Sequence, residues 1–262
     1  MVVKVGTSGW QYRHWRGTFY PDGLPVSRWL DFYSGSFDTV EVNNVFYRLP
    51  DAAVFARWRE STPASFEIAV KASSYLTHDK RLRDPREPVE RLMGRVAALG
   101  EKLGPILLQL PPTMRADPTA LDDALSCFGP KARVALEARH ESWDQEVVWD
   151  LLARHGAAWC AADASWRRWP VVRTAAWGYV RFHEGAASPS PCYGRRALER
   201  WVDRIGSTWH EDDDVYVYFN NDGCACALRD ARRFSTLCHR AGLETTRVPD
   251  RGAVRLCVPW TS

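Results

Sequence analysis

The sequence predicts an α/β protein folded as a single (β/α)8 TIM barrel with its site at the C-terminal ends of the strands. Three observations lead to this prediction. The chain has 262 residues, close to the roughly 250 that this fold uses as one domain. Eight short apolar runs, each suited to a buried parallel strand, alternate with segments of helical spacing. Polar residues gather where these runs end, which indicates a site at that end of the strands. Because the length fits one barrel, we predict one domain over residues 1–262.

Turn residues mark the elements in the first half of the chain. Ser27 is placed to cap the first helix, and Pro63 ends the connection after the second. Gly104 ends the third helix, and Pro111 ends the fourth strand. The predicted strands are Val2–Val5, Thr39–Val42, Phe66–Val70 and Ile106–Leu110. The predicted helices are Ser27–Ser34, Asp51–Glu60 and Val89–Leu103.

The second half repeats the alternation. Asp117 and Pro118 open a helix as cap and first residue, and Gly156 closes the next one. The fifth strand lies in the stretch Arg133–Trp143, whose apolar run Val134–Leu136 breaks into charged residues. Further strands are predicted at Ala157–Ala162, Gly178–Phe182 and Val215–Phe219, and helices at Asp144–His155, Arg195–Ile205 and Cys224–Arg240. The strand-like segment Ala253–Val258 has no assigned place.

Composition sets few limits on function. A net charge of +3 does not require a polyanionic partner, and 45% apolar residues suffice for a sizeable core. The N-terminus lacks a signal-peptide pattern, and no apolar run reaches the ~18 residues of a membrane span, so we expect a cytoplasmic protein with no membrane partner. Seven scattered cysteines favour reduced thiols. Cys224 and Cys226 lack a second pair at the spacing of zinc ligands.

Side chains on a strand alternate between two faces, and this separates an aliphatic from a polar face in the predicted strands. In the fifth strand, Val134 and Leu136 share one face while Glu137 belongs to the other. The aliphatic face suits the helix layer, so the polar face is predicted to point into the barrel. The inward residues at the strand ends are Glu41, Lys71, Gln109, Glu137, Asp163, Arg181 and Asn220. A plug of mutually paired charges is the purely structural alternative.

These residue types suit general acid/base chemistry on a small polar or anionic ligand. The predicted catalytic residues are Glu137, Glu41, Asp163 and Lys71. Glu137 comes first because burial and nearby cations would shift its pKa in opposite directions, toward neutrality. The aromatic loop after the first strand is predicted to cover the mouth. The predicted substrate-binding residues are Trp10, Tyr12, Trp15, Asn43, Tyr47, His78, Gln109, Arg139, His140, Trp143, Arg181, His183, Asn220, Asn221 and Asp222.

No cofactor and no metal are predicted. The chain has neither a Gly-x-Gly-x-x-Gly motif nor a P-loop, so a nucleotide cofactor is not supported. A metal is an alternative, but Lys71 and Arg181 would already neutralise the carboxylates; its ligands would be Glu41, Glu137, Asp163 and His183. A Schiff base on Lys71 would require a lowered pKa, which a sequence does not reveal.

The strand-end motifs resemble a known family. In chain order, VGTSGW, EVNNVFYRLP, VKAS, LGPILLQLPP, EARHESW, YVRFH and YVYFNND are similar to the YecE-like family, domain of unknown function 72. The resemblance covers about residues 3–240, which leaves 241–262 as a C-terminal extension. It implies a TIM-barrel fold and a site formed by these motif residues. It implies no reaction.

Three classes of function remain open. The first is an enzyme that acts on a small polar or anionic substrate, such as a sugar or a phosphorylated metabolite. The second is a nucleic-acid-binding or endonuclease-like barrel, because YRHWRG, KRLRDPR and WRRW interleave cations with aromatic rings. Any such binding is expected to be weak and salt-dependent, resting on Arg81, Arg83, Arg86, Arg167 and Arg168. The third is a noncatalytic ligand-binding barrel.

Overall fold

The computed structural model describes residues 1–130, 132–164 and 167–254. Eight strands of four or more residues form the wall within these ranges: β1 Val2–Thr7, β2 Thr39–Val42, β3 Glu67–Lys71, β4 Leu103–Gln109, β5 Val134–Glu137, β6 Ala158–Ala164, β7 Trp177–Phe182 and β8 Asp214–Phe219. Neighbouring strands pair in parallel from β2 through β8, and β8 pairs with β1. The predicted α/β class and TIM-type barrel are confirmed.

Helices of the described residues surround this sheet: α1 Trp29–Ser36, α2 Asn44–Tyr47, α3 Ala52–Glu60, α4 Arg86–Val96, α5 Pro118–Ser126, α6 Glu146–Arg154, α7 Arg195–Thr208 and α8 Cys226–Arg240. Helix α4 starts and ends earlier than predicted, because a 3-10 stretch, Ala97–Lys102, follows it and contains Gly100 at φ 59°. The predicted helix Val89–Leu103 is therefore two pieces, and its second piece contains a non-helical glycine. Among the described residues, no helix has the length and apolarity needed to cross a bilayer.

The barrel closes between β1 and β2 through few backbone contacts. A single parallel bridge joins Ser8 to Glu41 at this seam. The hydroxyl of Tyr33, on α1, accepts a hydrogen bond from the Thr7 amide at 3.1 Å and donates one to the Thr39 carbonyl at 3.2 Å. A side chain of the helix layer therefore replaces part of the missing strand ladder.

The alternation of side chains follows the predicted faces in most strands. Ala69, Leu107, Ala135, Tyr179 and Tyr218 are fully buried and pack together inside the barrel. Val40, Ile68, Leu136, Val180 and Val217 are buried in the larger cluster with the helices. The polar residues at the strand ends share the inward face with this buried set. They are therefore held at the C-terminal mouth of the barrel.

The region after α8 contributes to the sheet. Glu244–Thr245 pairs in parallel with β1, so part of the predicted C-terminal extension belongs to the barrel. A second short strand, Arg167–Arg168, pairs antiparallel with β6. The predicted segment Ala253–Val258 lies outside the described residues from 255 onward.

One expectation about cysteines is wrong. Cys192 and Cys226 form a disulfide between the loop after β7 and the first residue of α8. The two residues are 34 positions apart, and only the fold brings them together. Because Cys226 is bonded to Cys192, it is not available to ligate a metal together with Cys224.

Candidate active site

An arginine lies between two glutamates at the centre of the barrel mouth. Arg181, near the end of β7, donates from Nη2 to Glu41 Oε1 at 2.7 Å and from Nη1 to Glu137 Oε2. Arg181 is 1% exposed, and both glutamates are 0% exposed. A buried charge is tolerated only when it is paired, and here one guanidinium satisfies two carboxylates from opposite sides of the barrel.

Neighbouring side chains occupy the remaining carboxylate oxygens. Tyr179 donates its hydroxyl to Glu41 Oε2 at 2.6 Å. Gln109 Nε2 donates to Glu137 Oε1 at 2.9 Å, and His183 Nε2 lies 3.1 Å from the same oxygen. We call the set Glu41, Gln109, Glu137, Tyr179, Arg181 and His183 the carboxylate cluster. Tyr179 was not among the predicted site residues, although it shares the inward face of β7 with Arg181.

Asn220 fixes the orientation of the His183 ring. Its Nδ2 lies 3.1 Å from His183 Nδ1. An amide nitrogen only donates, so His183 Nδ1 accepts this bond and the ring proton lies on Nε2, which faces Glu137. The predicted inward position of Asn220 therefore has a definite effect, which is to select the histidine tautomer.

The electrostatics of Glu137 differ from the sequence expectation. Burial alone would raise the pKa of Glu137, but Arg181, His183 and Arg139 outweigh it and hold that pKa well below its ordinary value. Glu137 is therefore ionised at neutral pH. The prediction that burial and cations balance near neutrality is wrong, because four donors converge on one carboxylate.

Lys71 lies at the end of β3 in a different environment. Its Nζ is 3.9 Å from the centre of the Phe46 ring, a cation–π contact. Among the described residues, no carboxylate forms an ion pair with it. Burial and then the charge of Arg181 lower the pKa of Lys71 to about 8, although Glu137 and Glu41 act in the opposite direction. Phe46 was not predicted, because it sits on α2 beyond the strand end.

A guanidinium and an imidazole lie near Lys71. Arg139 Nε lies 3.4 Å from Glu137 Oε1 and is partly exposed. His78 packs edge-on against Phe46 at 4.9 Å and has Nδ1 2.9 Å from the Thr77 hydroxyl. Burial, Lys71 and Arg139 lower the pKa of His78, so its ring is neutral at pH 7. The mouth thus combines a neutral imidazole with three cationic side chains.

Asp163 does not point into the barrel, and that prediction is wrong. Its register partner on β7 is Phe182, whereas Ala162 pairs with Arg181. Asp163 Oδ2 accepts a hydrogen bond from Trp201 Nε1 on α7 at 2.8 Å. Asp163 therefore belongs to the helix-facing side, where it lines a groove of about 790 Å³ with the loop after β7.

Several predicted contact residues have structural partners. Asn221 is buried and donates to Asp230 Oδ2 at 2.8 Å, away from the cluster. Trp143 is fully buried and donates to the Met114 carbonyl. His140 Nδ1 accepts from the Ser142 amide at 3.1 Å and caps a 3-10 turn.

The aromatic loop after β1 does not behave as a single lid. Trp10 is 3% exposed and packs edge-on against Trp58 of α3. Trp15 is fully buried, and its Nε1 donates to Asp222 Oδ1 at 2.9 Å. Burial raises the pKa of Asp222 to about 8, while the hydrogen bond from Trp15 lowers it. Trp10, Tyr12 and Trp15 were predicted to cover the mouth as a platform or lid, and for Trp15 this prediction is wrong, since its ring fills the barrel top.

Other rings of this region do reach solvent. Tyr12 is partly buried and Tyr47 is 82% exposed. Both line a small cleft of about 210 Å³ at the mouth, between the loops that follow β1 and β2. We call it the β1–β2 cleft; its lining residues are Ser8, Gly9, Trp10, Gln11, Tyr12, Val42, Asn43, Asn44 and Tyr47.

Tyr12→Phe is expected to lower the free energy of unfolding by about 1 kcal/mol. The Tyr12 hydroxyl donates to the Ser8 carbonyl at 2.5 Å, and phenylalanine cannot replace this donor. Tyr47→Ala is the matched control, expected within about 0.5 kcal/mol of the parent because the ring is exposed. Urea denaturation measures both, and equal losses in the two variants would contradict this assignment.

The hypothetical metal ligands do not converge. Asp163 faces the helix layer, and Glu41 and Glu137 share Arg181. In the ranges that the structure describes, no three His, Cys, Asp or Glu side chains form a group suited to a metal ion.

The basic loop between β3 and α4 carries ordinary surface contacts. Arg81 Nη2 donates to the Thr113 hydroxyl at 3.3 Å, and Arg83 lies 4.0 Å from Asp117. Arg86 lies 3.9 Å from Glu90, one turn along α4. Exposed pairs of this kind leave the guanidinium groups accessible, so nucleic-acid binding by this loop stays a prediction.

Comparisons with known proteins agree with this architecture. The family model described as "Protein of unknown function DUF72" matches residues 4–252, past the predicted limit at residue 240. The protein YecE of Escherichia coli (strain K12) is 30% identical over 154 residues, which cover 59% of this chain and 49% of YecE. The chain thus matches about half the length of YecE. The protein YunF of Bacillus subtilis (strain 168) is 23% identical over 269 residues, covering 90% of this chain and 94% of YunF.

Solved structures show the same fold. A DUF72 family protein from Thermotoga maritima MSB8 has a TM-score of 0.80 and 26% identity, with coverage of 91% of this chain and 100% of the other. A DUF72 family protein from Enterococcus faecalis V583 has a TM-score of 0.74 and 18% identity, covering 91% and 98%. The family model and these relatives confirm the YecE-like resemblance. The chain belongs to the DUF72 family of TIM-barrel proteins.

Proposed function

We propose that the chain is an enzyme that binds a small anionic substrate at the barrel mouth and exchanges a proton with it through Lys71. The proposal rests on the charged side chains at the barrel mouth, which are not all paired. Both glutamates of the carboxylate cluster are held by Arg181, whereas no carboxylate of the described residues forms an ion pair with Lys71. A free acidic group of a substrate would supply the missing partner.

The charge count of the mouth supports an anionic ligand. Lys71, Arg139 and Arg181 are the cationic side chains here, while Glu41 and Glu137 are the carboxylates, and these pair with Arg139 and Arg181. One positive charge is therefore left over in a half-buried place, where it attracts anions more strongly than on an open surface. Arg139 offers a planar pair of donors for a carboxylate or phosphate group.

The protonation states favour Lys71 over Glu137 as the group that moves a proton. A general acid or base works best when its pKa is near the operating pH. The pKa of Lys71 is about 8, whereas that of Glu137 lies well below its ordinary value. Glu137 then acts electrostatically, by keeping Arg181 and His183 in place. The neutral ring of His78, beside Lys71, is a second candidate to accept a proton.

Lys71→Met is expected to leave the free energy of unfolding unchanged or slightly higher, while binding of inorganic phosphate weakens about 10-fold or more. The variant removes a half-buried ammonium that has no carboxylate partner. This group favours the binding of an anion but does not stabilise the folded state. Calorimetric titration and urea denaturation measure the two effects. A large loss of stability without a change in phosphate binding would overturn the proposed role.

The chemical state of Lys71 provides an independent test. Competitive acetylation of the native protein, read by peptide mass spectrometry, is expected to give a reactivity midpoint near pH 8 for Lys71, the value of its lowered pKa. Inorganic phosphate should slow this reaction. Lys80, 3.5 Å from Asp84, is the comparison lysine in the same digest. Identical profiles for Lys71 and Lys80, without protection by phosphate, would contradict the proposal.

A further inference from the structure

The β1–β2 cleft contains two buried polar atoms that lack partners. Ser8 Oγ and Asn43 Oδ1 have no hydrogen-bond partner among the described residues, and Ser8 is 1% exposed. A buried polar atom without a partner costs about 1–3 kcal/mol. Such atoms are few in native proteins, and each calls for an explanation. Two of them in the lining of one cleft therefore indicate a binding site.

The chemistry of the lining limits what can bind. Asn43 Oδ1 is an acceptor and needs a donor, while the Ser8 hydroxyl both donates and accepts. The cleft has no charged residue in its lining, and its walls include the rings of Trp10, Tyr12 and Tyr47. Its volume of about 210 Å³ is below the roughly 300–1,000 Å³ of sites for drug-sized ligands. Aromatic walls with two neutral polar groups suit one small ring or chain that carries hydroxyl groups.

The cleft adjoins the carboxylate cluster through Ser8 and Asn43. Ser8 forms the backbone bridge to Glu41, and Asn43 follows Glu41 by two residues, at the start of α2. Burial first, and then the charges of Asp222 and Glu41, raise the pKa of the Tyr12 hydroxyl, whose ring forms one wall. A molecule in the cleft would therefore lie beside the cationic mouth.

We infer that the β1–β2 cleft binds the hydroxyl-bearing, sugar-like part of a substrate whose anionic group lies at Lys71 and Arg139. This inference rests on the proposed function and adds the substrate class, an anionic sugar or polyol. A substrate hydroxyl donates to Asn43 Oδ1, and a second one exchanges a hydrogen bond with Ser8 Oγ. The aromatic rings pack against the C–H groups of the same unit.

Calorimetric titration of the whole chain with D-glucose 6-phosphate, D-ribose 5-phosphate, inorganic phosphate and D-glucose tests the inference. At least one sugar phosphate is expected to bind about 10-fold or more tightly than inorganic phosphate, because the hydroxyl groups add hydrogen bonds to unsatisfied atoms. Ser8→Ala and Asn43→Leu should remove this gain and leave inorganic phosphate binding unchanged. Ser126→Ala, at an exposed serine on α5, is the matched control and should retain the gain.

The melting temperature of Ser8→Ala distinguishes a binding role of the Ser8 hydroxyl from a structural one. Ser8→Ala removes an unpartnered buried hydroxyl, so its melting temperature is expected to equal or exceed that of the parent. A lower melting temperature, no preference for either sugar phosphate, or a preference that survives both cleft variants would overturn the inference. If inorganic phosphate itself does not bind, the proposed anion site fails first. If phosphate binds and Lys71→Met weakens it without any gain from the sugar, only the cleft assignment fails.

Discussion

Arg181→Met is expected to lower the free energy of unfolding at pH 7 by about 3–5 kcal/mol or more. Arg181 pairs with both Glu41 and Glu137, which are fully buried, so its loss removes the ion pair of Glu41 and leaves Glu137 with the longer contact to Arg139. Glu41 would then have to take up a proton or remain as an unpaired buried charge. Urea denaturation at pH 7 measures the loss, and a variant as stable as the parent would contradict the arrangement.

The pH dependence of the stability loss in Arg181→Met provides the control for this prediction. In the parent, the pKa of Glu137 is lowered, so its contribution to stability is present above the unfolded pKa of about 4.3 and is lost as pH falls through the folded value. Without Arg181, burial would raise the folded pKa of Glu137, and its contribution to stability would be lost as pH rises. The deficit of Arg181→Met should therefore shrink between pH 7 and pH 5. The triple variant with Glu41→Gln and Glu137→Gln should recover most of it at pH 7, and keeps the test available if Arg181→Met alone does not fold.

Trp15→Ala is expected to cost about 3–5 kcal/mol of stability. The indole is fully buried, stacks at 6.4 Å on Tyr33 and packs at 4.9 Å against Tyr12. Alanine would leave a cavity at the barrel top and remove the donor to Asp222. Thermal and urea denaturation measure the loss. A small effect would restore the interpretation of this ring as a movable cover.

Trp15→Phe separates packing from hydrogen bonding. It retains a ring but no donor, so we expect a smaller cost of about 1–3 kcal/mol. The pKa of Asp222 is raised to about 8, so the folded state favours its neutral form, and its contribution to stability is lost as pH rises through that value. The indole N–H binds the ionised carboxylate more strongly than the neutral acid. The cost of Trp15→Phe should therefore grow between pH 6 and pH 9, and a cost independent of pH would contradict this coupling.

Sequence patterns were sufficient for the central part of the site. In β5 and β7, Val134, Leu136, Val180 and Phe182 occupy every second position, so the inward direction of Glu137 and Arg181 followed from parity. Strand ends of parallel sheets meet at one edge, which placed Glu41 and Lys71 with them. The relation between these residues, one arginine shared by two glutamates, needed coordinates.

The failures have physical reasons. Strand β6 has the sequence AWCAADA, with small or apolar residues on both faces, so no alternation showed that Asp163 faces outward. Trp10 and Trp15 carry the same residue type whether they cover a ligand or fill a core, and only their burial distinguishes the two. The Cys192–Cys226 disulfide joins a loop to the start of α8, 34 positions apart in sequence. Unpartnered atoms such as Ser8 Oγ are defined by their surroundings and leave no pattern in the sequence.

The seam between β1 and β2 also determines which parts of the molecule unfold together. Elsewhere a strand can leave the sheet only by breaking a ladder of backbone bonds, but here Tyr33 of α1 supplies the connection. Displacement of α1 therefore removes the hydrogen bonds to Thr7 and Thr39, while β2 stays paired with β3. We expect local opening of this helix to loosen the seam beside Glu41 without unfolding the rest of the barrel wall.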